Sequence, residues 1–76
     1  MNKDLSLKFG QVIRELRLEK KLSQEELAYK SDVHRTYVGM IERGEKNISL
    51  ANIYKFCKGL DITMEFLFHK LKDINQ

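Results

Sequence analysis

SQEELAYKSDVHRTYVGMIER, residues 23–43, is the stretch on which the reading of the fold turns. Ser23 is followed three residues later by Glu26, the spacing of a capping box in which each side chain bonds the other's backbone N–H. This predicts a short helix over 24–30 with Leu27 and Ala28 facing inward, Ala28 being small where a crossing helix comes close. Ser31, Asp32 and Val33 then break the periodicity without Gly or Pro. A sharp turn between helices needs one residue in the left-handed region, and Asp tolerates it better than most non-glycine residues, so Asp32 takes that role. The next helix is expected over 34–43. At 100° per residue Tyr37, Val38 and Ile41 share one face, while Thr36, Gly39, Met40 and Arg43 gather opposite, with Arg35 at the edge. Gly44 is the expected stop.

Working outward, three further helices complete the chain. Phe9, Val12, Ile13 and Leu16 recur at spacings of three and four, predicting a helix over 5–19. Gly10 weakens it by about 1 kcal/mol relative to Ala if it lies inside. Ser49 is a suitable N-cap for a fourth helix over 50–58, whose apolar residues are Leu50, Ile53, Tyr54, Phe56, Cys57 and Leu60, and Gly59 is expected to end it. Thr63 caps a fifth helix from Met64 to about Lys72, with a stripe of Met64, Leu67, Phe68, Leu71 and Ile74. Phe66 lies off that stripe. No segment alternates in polarity, so no strand is expected. The fold class is therefore all-α, a compact five-helix arrangement forming a single domain over residues 1–76.

Composition bounds the function more loosely. The chain has 76 residues, 42% hydrophobic and 33% charged, a globular balance with room for one small core. One cysteine permits no internal disulfide and fits a reducing, cytoplasmic compartment. No apolar run has the length of a secretion signal or a membrane span, so no membrane association is expected. A net charge of +3 is compatible with nucleic acid and does not decide it.

The two faces of residues 34–43 are more informative. A helix that reads DNA must bury one face, to be fixed in orientation, and present donors, acceptors and small groups on the other. Arg35 can donate two bonds to guanine, Thr36 offers a hydroxyl and a methyl, Met40 an apolar contact, and Gly39 lets backbone approach the groove. An ordinary solvated face explains each polar residue singly, but not the set together with the preceding turn. Backbone phosphates are expected at Arg43 and at helix N-termini, where free N–H groups favour anions: Gln24 before all, then Asn47 and Ser49, with Lys46 and Tyr37 in addition. For Tyr37 a core aromatic with its hydroxyl at the surface is an equal reading.

Other chemistries find little support. Cys57 falls on an apolar helix face with no His or acid at catalytic spacing, which reads as a buried structural thiol. His34 and His69 are isolated and build no usual zinc site with one Cys. There is no glycine-rich phosphate loop. No enzyme, metal or cofactor is expected. Phe66, Phe68 and Leu71 give the fifth helix a wide apolar arc, so a two-fold homodimer through about 63–72 is expected.

At this point the residues carry a family resemblance. Residues 24–43 resemble the twenty-residue helix-turn-helix of the Cro and phage-repressor type of regulators, with Gln24 first, Leu27 and Ala28 fourth and fifth, and Val33, Val38 and Ile41 at inner positions. Asp32 stands where Gly is usual, and His34 where a short capping residue is usual. The ending IERGEKNISL, residues 41–50, is also similar to that group. With HRTYVGMIERG and the short chain, the closest likeness is to the small controller proteins of restriction–modification systems. The resemblance implies a lambda-repressor-like domain and a homodimer on paired half-sites of operator DNA. It puts Arg35 and Thr36 at bases, and Gln24, Tyr37, Arg43, Asn47 and Ser49 near the backbone. A phage-type repressor or an antitoxin that regulates its own operon would look nearly the same. A protein-interaction module without DNA binding would carry acids or bulky aliphatics at 35, 36 and 43. No small-molecule effector is expected in so short a chain.

Overall fold

The computed structural model describes residues 3–74. Five helices follow one another: α1 Lys3–Glu19, α2 Gln24–Ser31, α3 Arg35–Glu42, α4 Leu50–Leu60 and α5 Met64–Ile74. The described residues contain no strand, and none of their helices is long and apolar enough to cross a membrane. The all-α expectation and the order of the elements agree with this.

One core forms where the inner faces meet. α1 contributes Phe9, Val12, Ile13 and Leu16, α2 Leu27 and Ala28, and α3 Val38 and Ile41; Ile48 enters from the loop, and Ile53, Phe56, Cys57, Leu60 and Leu67 close it from α4 and α5. Gly10 lies inside α1, and its lack of a side chain has a packing reason: a Cβ there would run into the backbone carbonyls of Ile41 and Glu42. The end of α3 therefore rests directly on α1 backbone.

The first four helices end alike. In each, a residue in the left-handed region, Lys21, Asp32, Gly44 or Asp61, has φ between 57° and 73°. Its N–H and that of the next residue fold back onto carbonyls of the last turn, as in Val33 N–H to Ala28 O at 3.0 Å and Glu45 N–H to Met40 O at 2.9 Å. This double bond pattern is the Schellman motif. After three of the stops an apolar residue, Leu22, Val33 or Ile62, packs on the core, so each stop also aims the chain back inward. Asp32 has the left-handed role expected of it, and Gly44 stops α3.

Several expectations need correction. Gly59 does not end α4, which runs on to Leu60 and is capped by Asp61; Gly59 instead makes room for Ser31 of α2. Leu50 and Tyr54 are 69% and 55% exposed, so the buried face of α4 is narrower than its apolar composition. Phe68 is exposed rather than part of the inner α5 stripe, which is Leu67 flanked by partly buried Met64 and Leu71. The side chain of Ile74 lies outside the described ones.

Candidate nucleic-acid interface

α2 starts as a full capping box. Ser23 Oγ accepts from Glu26 N–H at 3.0 Å, and Ser23 N–H donates to Glu26 Oε1 at 2.8 Å. Those bonds, the backbone one foremost, hold the Glu26 carboxyl below its ordinary pKa. The turn then passes through Asp32 at φ 57°, ψ 46°. His34 is not in α3 but caps it: at φ −75°, ψ 144° its Nδ1 accepts from Thr36 N–H at 3.1 Å. An imidazole nitrogen thus does the work of the short Ser or Asp usual at this position.

α3 is pinned on three sides. Val38 and Ile41 enter the core. The Tyr37 ring stacks on Phe56 with centroids 6.1 Å apart and planes 12° from parallel, while its hydroxyl accepts from Asn52 Nδ2 at 3.0 Å. Tyr37 is thus half-buried, its ring on the core and its hydroxyl tied to the first turn of α4. At the far end Glu42 receives Arg17 Nε at 2.7 Å and Arg17 Nη2 at 3.2 Å, and Gln24 Nε2 at 3.0 Å. Arg17 Nη1 also donates to Leu22 O at 2.9 Å. One carboxylate therefore fastens α1, α2 and α3 together.

This leaves Arg35 and Thr36 exposed at the start of α3, Met40 half-buried, and Arg43 exposed at its end. Arg35 has only a loose companion, Glu25 Oε2 at 3.8 Å between two well-exposed side chains, an arrangement worth little in water. Arg43 is bound more firmly, to Glu45. Gly39 is buried, with the side chains of Arg43 and Gln24 over it, so the bare backbone that its place on the helix wheel led one to expect is covered. Lys46 and Asn47 are exposed in the loop. Ser49 caps α4, its Oγ accepting from Asn52 N–H at 3.1 Å. Gln24, first in α2, has one of its amide hydrogens committed to Glu42. The candidate contacts thus occupy α3, the start of α2 and the loop before α4. Phe66, Phe68 and Leu71 lie on α5, separate in sequence from that set; the first two are 42% and 43% exposed and Leu71 is partly buried.

Sequence reading missed Arg17, Glu42, Glu45 and Asn52. Arg17 had a signal: four residues after Ile13, it falls on the buried side of α1. The other three act through contacts that spacing on one helix does not show.

Comparison with known proteins follows the same lines. Residues 13–67 match the helix-turn-helix family. The control protein C.BamHI of Bacillus amyloliquefaciens is 49% identical over 63 residues, which cover 82% of this chain and 78% of that protein. The control protein C.MunI of a Mycoplasma species is 43% identical over 70 residues, covering 91% and 95%. Among solved structures, the restriction–modification controller protein C.Esp1396I, a tetramer in complex with its natural 35 base-pair operator, superposes with a TM-score of 0.88 at 40% identity, covering 95% of this chain and 96% of that one.

Proposed function

This chain belongs to the helix-turn-helix family, among the control proteins of restriction–modification systems, and from that premise we propose that it is a sequence-specific DNA-binding transcription regulator of such a system. It acts as a homodimer on a pseudo-palindromic operator. Its two recognition helices stand about 34 Å apart, one turn of B-DNA, because the protein dyad must match the operator dyad.

The observation that carries this reading is the construction of α3. A helix of 8 residues is fixed by core packing, a stacked tyrosine and a buried carboxylate, yet leaves Arg35 and Thr36 exposed at its start. Such rigidity has a use when donors must meet base edges in register. In this reading Arg35, Thr36 and Met40 face bases. Gln24, Tyr37, Arg43, Lys46, Asn47 and Ser49 lie along the phosphates. Phe66, Phe68 and Leu71 join the protomers. Control runs through concentration: when protein is scarce the dimer separates and the operator empties.

Selection of duplexes from a random-sequence pool, followed by salt titration, tests the reading. The expected product is a two-fold repeat with half-site centres one helical turn apart. Its affinity should fall steeply with salt, by a slope of about −0.9 for each phosphate neutralised. Recovery of no enriched sequence, or an affinity indifferent to salt, overturns it.

A further inference from the structure

Arg43 is not a free cation at the end of α3. Its Nε donates to Glu45 Oε2 at 2.8 Å and its Nη2 to Glu45 Oε1 at 3.2 Å, so the carboxylate occupies one edge of the guanidinium. The remaining nitrogen, Nη1, lies over Gly39, where a Cβ would stand 3.0 Å from it and 3.8 Å from Cζ. The turn builds this arrangement. Gly44 at φ 73° sends the chain back, and Glu45 N–H is bonded to Met40 O at 2.9 Å, which returns residue 45 beside residue 43. The carboxyl of Glu45 is lowered and the guanidinium of Arg43 raised from their ordinary pKa values, each chiefly by the shared hydrogen bonds.

Sequence-independent DNA binding is almost wholly a matter of cations on phosphates. A guanidinium already paired with a carboxylate adds little net charge to such loose complexes. In a complex docked in register the same pair has a different effect, because the two bonds to Glu45 favour one orientation of Nη1 and reduce the ordering that a long exposed side chain still needs. We propose that Glu45 is a specificity-determining residue of this DNA-binding surface: it clamps Arg43 over Gly39, offers a phosphate the Nη1 edge alone, and withholds the charge of Arg43 from DNA of the wrong sequence. This rests on the reading of α3 as a DNA-reading helix.

The test uses a duplex selected by the wild-type protein and a shuffled duplex of the same composition, with Kd measured on both across a range of salt. Glu45→Gln keeps an acceptor and removes the charge. It is expected to tighten binding to the shuffled duplex about 3- to 8-fold at 100 mM salt and to steepen that salt slope by about 0.9. The selected duplex should change by less than about twofold. In an Arg43→Ala background the same substitution should shift both duplexes by one factor. A gain in binding does not arise from misfolding, so the direction of the effect separates the proposal from a structural defect. An unchanged ratio of the two affinities in Glu45→Gln, or an equal fall of the ratio in the Arg43→Ala background, overturns the proposal and leaves α3 as the reading helix. A wild-type protein that does not distinguish the duplexes overturns the underlying reading instead.

Discussion

Arg17 and Glu42, 25 residues apart in the chain, form a two-bond ion pair of 2.7 and 3.2 Å with side-chain exposures of only 10% and 4%. The pair joins α1 to the end of α3, and Gln24 at the start of α2 adds a third N–H to the same carboxylate. A surface ion pair would matter little. This one is enclosed, and loss of one member leaves the other's charge enclosed without its counter-ion, held only by a neutral partner, Leu22 O for Arg17 or the Gln24 amide for Glu42.

Glu42→Ala is therefore expected to cost about 3–5 kcal/mol in urea unfolding, while Arg17→Met with Glu42→Leu recovers most of that loss by removing both charges together. Affinity for the selected duplex should drop in the double variant even so, because Gln24 loses the carboxylate that orients it. A cost below about 1 kcal/mol for the single variant would show the pair to be effectively solvated.

Two helical glycines should respond in opposite ways to Ala. At Gly10 the new Cβ meets backbone carbonyls of Ile41 and Glu42, which have nowhere to go, so a loss of about 3 kcal/mol outweighs the gain in helix propensity. At Gly39 the nearest atom belongs to the end of the Arg43 side chain. There the fold should be unharmed or gain up to about 1 kcal/mol, with DNA affinity lowered by displacement of the guanidinium. Thermal unfolding and Kd measured on both variants check the contrast.

The legible part of this chain was local. Capping at Ser23, Ser49 and Thr63, the left-handed Asp32 and the inner face of α3 all depend on residues within a turn of each other, and spacing reveals them. The helix ends at 59–61 misled, because glycine serves close packing as readily as it serves a stop: Gly59 meets Ser31 across two helices. Leu50, Tyr54 and Phe68 misled for a related reason. An apolar side chain says that burial is favourable and does not say which neighbour is there to provide it. The pairs that hold and orient the candidate site, Arg17 with Glu42, Tyr37 with Asn52 and Arg43 with Glu45, are tertiary or turn-made. Arg17, Glu42, Glu45 and Asn52 looked like ordinary polar surface residues until the elements were brought together, and for Tyr37 and Arg43 the sequence pointed to phosphate without showing the partner each one has.

Lys21, unlike the two aspartates, has no short polar group suited to the left-handed region it occupies at φ 59°. Lys21→Gly should raise stability by about 0.5–1 kcal/mol, the relief of strain exceeding the added freedom of the unfolded chain. Asp61→Gly should gain less. A fall in the unfolding midpoint for Lys21→Gly would contradict the left-handed stop at the end of α1.

The capping box supplies a pH dependence with a fixed sign. The Glu26 pKa is lowered in the folded state, first by Ser23 N–H and then by the Ser23 hydroxyl. A carboxylate of this kind contributes stability in full above its unfolded value, about 4.3, and loses it as pH falls through the lower folded value. Urea midpoints of the wild type and Glu26→Gln should differ at pH 6 and converge toward pH 3. A constant difference would mean that the carboxylate does not carry the cap.

Self-association through α5 is testable on the two exposed rings. Phe66 and Phe68 are 42% and 43% exposed, and at 100° per residue they leave α5 about 160° apart. The Lys70 ammonium sits 5.8 Å from the Phe66 centroid, which covers that ring only in part. Neither ring is needed by the core of one protomer, so truncating either should leave the helical circular dichroism unchanged. The dimer dissociation constant from sedimentation equilibrium should rise at least tenfold for each, since an isologous contact loses every ring twice. Loss on one variant alone would identify the side of α5 that faces the partner. A wild-type protein that stays monomeric well above micromolar concentration, with Phe66→Ala no different, would remove α5 as the interface and with it the control by concentration. If the dimer forms as expected, operator occupancy plotted against total protein should be steeper than a single-site curve, and Phe66→Ala should shift that curve to higher protein while leaving the selected sequence the same.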